Sequence, residues 1–214
     1  MNSLKKFDTN FYSTNTNLIA GVDEAGRGPL AGPVVAAAVI FDIKTYHPEI
    51  TDSKKLSQKK REYLYDWITD NSLTYSIDIV DNLTIDEINI LQASLMAMKN
   101  SVEKLSLLPN LILIDGNKTF QHSIKTISVV KGDCKSFSIA AASIIAKVTR
   151  DKIMNELANE FPMYGWDKNK GYATQKHRNA IFQFGESIYH RKSFLKKLFY
   201  QKQQLEIFNA RSTK

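Results

Sequence analysis

Four acidic residues are the best candidates for chemistry in this sequence. Asp23 and Glu24 are adjacent, and Asp115 and Asp133 lie further along the chain. Each of these three sites follows an apolar, strand-like run. Four uncompensated carboxylates in one place would repel each other, and divalent cations remove that repulsion. Oxygen ligands suit Mg²⁺ or Mn²⁺. Two such ions can activate a water and stabilise the leaving oxygen of a phosphodiester.

A simpler interpretation is that the acids are ordinary turn and cap residues. Acid-glycine pairs, as at 115–116 and 132–133, are common turn dipeptides. Asp23 and Glu24 raise a further difficulty, because neighbouring side chains of a regular strand point to opposite faces. Both acids can share one metal site only if the strand ends or bulges there, or if one of the two contributes differently. The sequence has neither a His/Cys cluster nor an HExxH pattern, so zinc is not predicted.

A glycine-rich stretch directly after the first two acids is a candidate for substrate binding. It contains Gly26, Arg27 and Gly28, and it lacks the GxxxxGK[ST] spacing of a phosphate-binding P-loop. Its backbone N–H and C=O groups could hydrogen-bond a nucleic-acid backbone, for which a ribose 2′-hydroxyl offers both a donor and an acceptor. The alternative is an ordinary turn with a surface arginine.

Residues 163–173 form a second candidate for nucleic-acid contact. Tyr164, Trp166 and Tyr172 are interleaved there with lysines. Aromatic rings beside cations suit stacking on sugars or bases next to phosphates. A plug of the hydrophobic core is an equally good interpretation of the same residues.

Positive charge is concentrated at the end of the chain. The 214 residues carry a net charge of +7, and residues 191–214 contain seven Lys or Arg and one acid. A basic end of this kind can supply a phosphate-binding face. A solvated helix face would have the same composition.

The elements that must position these residues alternate between strands and helices, which favours an α/β layer fold. Strands are predicted at 18–24, 34–41, 73–80, 111–114 and 125–130. Helices are predicted at 57–71, 84–105, 136–161, 174–184 and 193–208. The short early connections indicate a mixed sheet of about five strands. If the first, fourth and fifth strands are parallel neighbours, all four acids meet at one edge of the sheet.

Local signals predict where several helices begin. Ser57, Ser136 and Thr174 are expected at helix starts, and Thr84 with Glu87 forms a capping-box pattern. The apolar stripe of that third helix has coiled-coil spacing but spans only about three heptads. We therefore expect it to pack on the sheet.

The whole sequence indicates one soluble domain. No apolar run approaches the roughly 20 residues of a membrane span, and the N-terminus lacks the apolar core of a secretory signal. Cys134 is the only cysteine, which excludes an internal disulfide and fits a reducing compartment, so a cytoplasmic location is predicted. We expect a flexible leader at 1–17, a catalytic domain at 18–190 and a basic C-terminal helix and tail at 191–214.

Seven segments between residues 18 and 195 resemble the bacterial ribonuclease HII family, and they occur in the order that this family has. The segments are VDEAGRGPLAGPVVAAAV (22–39), DSKKLS (52–57), IDEINILQASLMAM (85–98), LILIDG (111–116), KGDCKSFSIAAASIIAKVTRD (131–151), FPMYGWDKNKGYATQKH (161–177) and HRKSF (190–194). The resemblance implies a ribonuclease H-like α/β fold with a helical C-terminal part.

The resemblance also implies an activity. Members of this family cleave the RNA strand of RNA–DNA hybrids and cut 5′ of single ribonucleotides embedded in duplex DNA, leaving a 3′-hydroxyl and a 5′-phosphate. By motif position, the metal-binding carboxylates are Asp23, Glu24, Asp115 and Asp133. The loop that senses the ribose 2′-hydroxyl is Gly26, Arg27 and Gly28, and the tyrosine that stacks on the neighbouring deoxyribose is Tyr172. The implied cofactor is a pair of Mn²⁺ or Mg²⁺ ions.

The chain departs from the family pattern at Asn169, where a histidine is usual, and this puts any role of that histidine in doubt. The related type HIII carries an extra N-terminal domain, for which the first 17 residues leave no room, so type HII is preferred. Two alternatives stay open: a non-catalytic hybrid-binding module, and another ribonuclease H-like metal-dependent nuclease.

The expected partners are RNA–DNA hybrids and ribonucleotide-containing duplex DNA, and a monomer is expected. Residues Gln204–Phe208 (QLEIF) resemble the short motif by which bacterial proteins bind the DNA sliding clamp. The end of an amphipathic helix is the competing interpretation of that stretch.

Overall fold

A five-stranded mixed sheet lies at the centre of the computed structural model, which describes residues 3–196 and 198–200. Its strands are β1 (Ile19–Ala25), β2 (Val34–Ile40), β3 (Thr74–Val80), β4 (Leu111–Asp115) and β5 (Thr126–Val129). The spatial order is β3-β2-β1-β4-β5. β1 pairs antiparallel with β2 and parallel with β4, and β4 pairs parallel with β5. The predicted sheet and the predicted parallel trio β1-β4-β5 are therefore confirmed.

The helices cover both faces of this sheet. They are α1 (Ser3–Thr9), α2 (Gln58–Asn71), α3 (Asn82–Glu103), α4 (Phe137–Glu160), α5 (Trp166–Asn169) and α6 (Gln175–Phe184). α2 and α4 share one apolar cluster with alternate residues of β2, and α3 shares another with the residues between them. Because both faces are covered, every residue of β2 is buried. The stripe of α3 packs on the sheet, as expected.

Three of the predicted helix starts are confirmed and one is wrong. Ser57, Ser136 and Thr174 each cap a helix by accepting a backbone hydrogen bond. The capping-box prediction at Thr84 is wrong, because the side chain of Asp81 accepts from the amide of Thr84 and begins α3 earlier. The carboxylate of Asp81, three residues upstream, is a better hydrogen-bond acceptor than the hydroxyl of Thr84.

Helix α3 also contains a kink that the periodic stripe did not predict. Asn89 has a φ of 66° and a ψ of 161° inside the helix. Its Oδ1 accepts hydrogen bonds from the amides of Leu91 and Gln92, as an N-cap does. The residue thus ends one helical segment and caps the next.

Part of the stretch expected to be a flexible leader, residues 1–17, is folded against the rest of the chain. Residues Ser3–Thr9 form α1, in which Lys5 and Asp8 are buried. One carboxylate oxygen of Asp8 accepts from the amide and the hydroxyl of Ser138, at 2.9 and 2.8 Å. The polar composition misled the prediction because the polar groups bind the amino end of α4 instead of water.

The chain after α6 returns to the core. Residues 192–196 and 198–200 are helical, and Leu195 and Leu198 are buried in a cluster with Trp166. Arg191, which contributed to the predicted phosphate-binding face, is fully buried and cannot belong to that face. The rest of the predicted helix, with Gln204–Phe208, lies outside the described residues. None of the helices in the described ranges has the length and hydropathy needed to cross a bilayer.

Candidate active site

Strand β1 brings Asp23 to the carboxyl edge of the parallel strands. Its parallel pairing with β4 ends at Val22, whereas its antiparallel pairing with β2 continues to Ala25. Gly21 lies so close to α4 that a Cβ atom there would come within 2.1 Å of the carbonyl carbon of Ser138. Residues two apart lie on the same face of a strand. Asp23 therefore follows Gly21 on the α4 side, and it is only 5% exposed.

Glu24 continues β1 as a regular strand residue, so the predicted strand break between the two acids is absent. The neighbouring strand ends instead, which opens the sheet beside both side chains. A Glu24 oxygen lies 3.2 Å from a guanidinium nitrogen of Arg27. Glu24 lines the same cavity as Asp23 and Asp115 without joining the tightest cluster of acids.

The other two acids come from the ends of β4 and β5. Asp115 is the last residue of β4, and its Oδ1 accepts a hydrogen bond of 2.6 Å from the amide of Gly132. Asp133 lies in a short 3₁₀ helix, Gly132–Cys134, just after β5. That hydrogen bond joins the two segments directly. The ammonium of Lys54 lies 3.2 Å from an Asp133 oxygen.

Three of the predicted carboxylates converge. Oxygen atoms of Asp23, Asp115 and Asp133 lie within 4.8 Å of one another. Burial raises the pKa of Asp23 well above its ordinary value, and the charges of Glu24 and Asp115 raise it further. Burial also raises the pKa of Glu24 and of Asp115. Buried like charges are costly without a cation. An all-oxygen donor set fits a hard divalent ion, so this cluster can bind metal.

Asp23, Glu24 and Asp115 line a cavity of 420 Å³ that also has cationic walls. Its basic lining residues are Arg27, Lys54, Arg61, Lys147 and Arg150. Acids able to hold a metal beside cations able to hold phosphates suit a phosphodiester substrate. A larger cavity of 590 Å³ beside α5 contains none of the predicted site residues.

The Gly-Arg-Gly loop, residues 26–28, forms the wall next to the acids. Gly26 has a φ of +101°, and a Cβ atom there would lie 2.1 Å from Nε of Arg150. The position therefore requires glycine for both its backbone conformation and its space. Gly28 faces Tyr172, since a Cβ atom on Gly28 would lie 3.5 Å from the ring.

The aromatic loop is divided between the core and the cavity. Tyr164 and Trp166 are 3% and 0% exposed and stack on each other with ring centroids 5.0 Å apart. For these two residues the core-plug interpretation holds. Tyr172 is 46% exposed and lines the cavity. The side-chain Nδ2 of Asn169 donates to the carbonyl of Tyr164, and its Oδ1 accepts from the backbone amide of Gly171. Asn169 therefore shapes this loop.

Sequence reasoning missed four cations of the cavity, which are Lys54, Arg61, Lys147 and Arg150. Lys54 belongs to the DSKKLS segment, which was noted only as part of the resemblance. Arg61 lies on α2 and donates to the backbone carbonyls of Ser53 and Leu56, at 3.1 and 2.6 Å. Lys147 lies on α4. Neither helix carries a local pattern that distinguishes such a residue from a solvated surface cation.

A comparison with protein families identifies the chain. The model of the family described as Ribonuclease HII matches residues 20–202. The chain belongs to the ribonuclease HII family. The ribonuclease HII of Rickettsia bellii is 55% identical over 182 residues, which cover 85% of this chain and 92% of the relative.

Solved structures agree with this assignment. The ribonuclease H2 of Pyrococcus horikoshii matches with a TM-score of 0.70 and 28% identity, over 82% of this chain and 93% of that one. The ribonuclease HII of Archaeoglobus fulgidus, solved in a complex with PCNA, matches with a TM-score of 0.66 and 27% identity, over 83% and 94%. The expected ribonuclease H-like fold is confirmed. Family membership makes the chain an enzyme, an RNA–DNA hybrid endoribonuclease.

Proposed function

We propose that the chain cuts 5′ of single ribonucleotides embedded in duplex DNA, as well as the RNA strand of hybrids, and leaves a 3′-hydroxyl and a 5′-phosphate. This activity would serve ribonucleotide removal during DNA repair and replication. The observation that carries the proposal is that Asp23, Glu24 and Asp115 share one cavity with the Gly-Arg-Gly loop and Tyr172. A reactive centre and a ribose-recognition surface are then in reach of the same nucleotide.

Asp23, Asp115 and Asp133 would hold the metal ions, with Glu24 completing the set. When bound, two Mg²⁺ or Mn²⁺ ions supply an activated water and neutralise charge on the reacting phosphate. Asp23 would be the central residue of the set that holds the ions, because the charges of Glu24, Asp115 and Asp133 all act on it.

The protein's own groups bind and orient the substrate. Lys54 and Lys147 would contact phosphates on either side of the cleaved bond, which positions the duplex without recognising its sequence. The exposed ring of Tyr172 would stack on the neighbouring deoxyribose. Backbone amides of the Gly-Arg-Gly loop would hydrogen-bond the 2′-hydroxyl, and a site built for a hydroxyl rejects an analogue that lacks it.

Cleavage of two matched duplexes tests the proposal. One carries a single ribonucleotide and the other is all DNA, and each is incubated with Mg²⁺, with Mn²⁺ or with EDTA. We expect cleavage of the first duplex alone, 5′ of the ribonucleotide, and none in EDTA. Cleavage of both duplexes would indicate another ribonuclease H-like nuclease, and tight binding without cleavage would indicate a hybrid-binding module.

We further propose that Gln204–Phe208 bind the bacterial sliding clamp, that the protein acts as a monomer and that it is cytoplasmic. The complex of the A. fulgidus relative with PCNA supports the first point, and the single cysteine supports the last. A pull-down on the clamp with and without residues 203–214 tests the clamp proposal. Equal retention of both forms would contradict it.

A further inference from the structure

Two buried arginines lie behind the loop at residues 26–33. Arg150 on α4 is 1% exposed, and Arg191 after α6 is 0% exposed. Among the described residues, neither forms an ion pair with a carboxylate within 4.0 Å. Burial lowers the pKa of Arg150 to about 10 and that of Arg191 to about 9. Both values exceed neutral pH, so both side chains are charged. Buried, unpaired charges require compensation by dipoles.

Backbone carbonyls of the loop compensate Arg191. Its guanidinium donates to the carbonyl oxygens of Gly26, Arg27, Gly32 and Pro33. The four distances are 2.6, 3.1, 2.9 and 3.1 Å in that order. One side chain therefore binds both ends of the loop.

Arg150 joins the same loop to the segment that carries Tyr172. It donates to the carbonyls of Pro33 and Ala31, at 2.9 and 3.1 Å, and to that of Lys170 at 2.9 Å. Lys170 lies two residues before Tyr172. Arg150 therefore links the Gly-Arg-Gly loop to the stacking tyrosine.

These bonds leave a particular set of backbone groups available. The carbonyls of Gly26 and Arg27 are directed inward to Arg191. In the described part of the chain, no hydrogen bond uses the amide N–H of Arg27 or Gly28. A peptide plane whose carbonyl is held inward presents its N–H to the opposite side. The loop thus offers donors to the cavity, and a ribose 2′-hydroxyl accepts them.

We propose that Arg150 and Arg191 are positioning residues for ribose recognition: they hold the loop carbonyls so that the amides of Arg27 and Gly28 and the ring of Tyr172 meet the same nucleotide. The inference rests on the proposed function of the Gly-Arg-Gly loop. Arginine is required because its planar fork carries five donors in fixed directions, whereas lysine offers a compact charge with three.

The test uses two charge-conserving variants, Arg191→Lys and Arg150→Lys, in the full chain. Dissociation constants are measured in EDTA for the duplex with one ribonucleotide and for the all-DNA duplex. We expect the preference for the ribonucleotide to fall at least about fivefold, with the all-DNA constant unchanged within about twofold. In Mg²⁺, kcat on the ribonucleotide duplex should fall about 10- to 100-fold with little change in KM, because small misplacements are costly.

Asp86→Ala is the matched control. Asp86 on α3 accepts from the amides of Lys192 and Ser193, at 2.7 and 2.9 Å, so it anchors the segment of Arg191 without touching the loop. This variant should lose thermal stability and keep the preference for the ribonucleotide. If it loses the preference to the same extent as Arg191→Lys, loosening of the segment explains the effect and the inference is overturned.

Thermal unfolding of each variant establishes that it is folded before binding is measured. If Arg191→Lys does not fold, the test uses Arg150→Lys, because this variant loses the other guanidinium that binds the loop carbonyls. An unchanged preference and kcat in either folded variant would overturn the inference. Equal binding of both duplexes by the unaltered protein would instead contradict the proposed role of the loop, and the inference with it.

Discussion

The three clustered acids are each positioned by a different feature of the backbone. Asp23 lies where one partner strand stops, Asp115 ends its own strand, and Asp133 occupies a turn joined to Asp115 through the amide of Gly132. Asp115 is thus both a predicted ligand and a link between two segments. Its substitution can remove the charge and retain the link, because an asparagine Oδ1 also accepts a hydrogen bond.

Asp115→Asn should therefore reduce cleavage of the single-ribonucleotide duplex by roughly 10³-fold or more, equivalent to about 4 kcal/mol of transition-state stabilisation. The binding of that duplex in EDTA should stay within about threefold of the unaltered protein. Gel-resolved cleavage rates and fluorescence anisotropy measure the two quantities. Asp70→Asn, at an exposed position on α2, should leave both unchanged. Full activity of the Asp115 variant would refute the assignment of this acid.

Gly26 is the position in the loop that should tolerate substitution least. Gly26→Ala meets both a positive φ and the guanidinium of Arg150, whereas Gly185→Ala meets a φ of +82° and open space. We expect Gly26→Ala to lower the free energy of unfolding by about 2–4 kcal/mol and Gly185→Ala by about 1–2. Urea denaturation compares the two. Equal losses would mean that the contact with Arg150 is not restrictive.

At the scale of elements, α1 acts as an external cap for α4. Asp8 binds one of the amides that a helix leaves unpaired at its amino end. Asp8→Ala should lower the free energy of unfolding by about 1–2 kcal/mol, the usual cost of losing such a cap. Lys6→Ala, on the exposed side of the same helix, should cost less than about 0.5. Similar values for both variants would show that α1 contributes little to stability.

The loop that carries Tyr172 is held by a buried histidine pair. His177 and His190 contact each other at 3.1 Å between their Nε2 atoms, and His177 Nδ1 lies 2.9 Å from the carbonyl oxygen of Tyr172. Both rings are almost fully buried. Burial lowers the pKa of His177, and burial together with the charge of His177 lowers that of His190 to about 4.

Because the folded pKa of His190 lies below the ordinary 6.5, its contribution to stability is complete above pH 6.5 and is lost as the pH falls towards 4. The unfolded chain binds the proton first. We expect the free energy of unfolding to drop between pH 7 and pH 5, with about 2 kcal/mol of that drop due to His190. His190→Gln should show a smaller drop, whatever its stability at pH 7. Urea titrations at pH 7 and pH 5 measure the drop for each protein. An identical drop in His190→Gln and in the unaltered protein would disprove this origin.

The acids and the order of elements could be predicted from the sequence because their signals are local. An apolar run that ends in an acid predicts both a strand and the position of the acid at the end of that strand. Ser57, Ser136 and Thr174 cap their helices by contacts within three residues. α1 could not be predicted, since Asp8 reaches Ser138 across 130 residues. The burial of Arg191 could not be predicted for the same reason, because the sequence does not distinguish an arginine that binds distant carbonyls from one that binds phosphate.

At the scale of the whole molecule, two cations of the cavity lie on the same side of the sheet. Lys54 precedes α2, and Lys147 lies on α4, on the side of the sheet opposite α3. Lys54→Ala and Lys147→Ala should each weaken binding of all duplexes and reduce the slope of log K against log salt by about one. Lys99→Ala on α3 should leave the slope unchanged. Anisotropy titrations at several salt concentrations measure the slopes, and equal slopes for all variants would exclude phosphate contacts by these two lysines.

The contact of Arg191 with Gly26 and Arg27 spans 165 and 164 residues, and this span has a consequence for the order of synthesis. A ribosome completes all four acids once it has passed Asp133, but the group that holds the loop beside them is added only 58 residues later. A nascent chain that stops in between carries every predicted metal ligand but lacks the guanidinium of Arg191 behind the loop. With the role proposed for Arg191, ribose selectivity is acquired only after every predicted metal ligand has been translated.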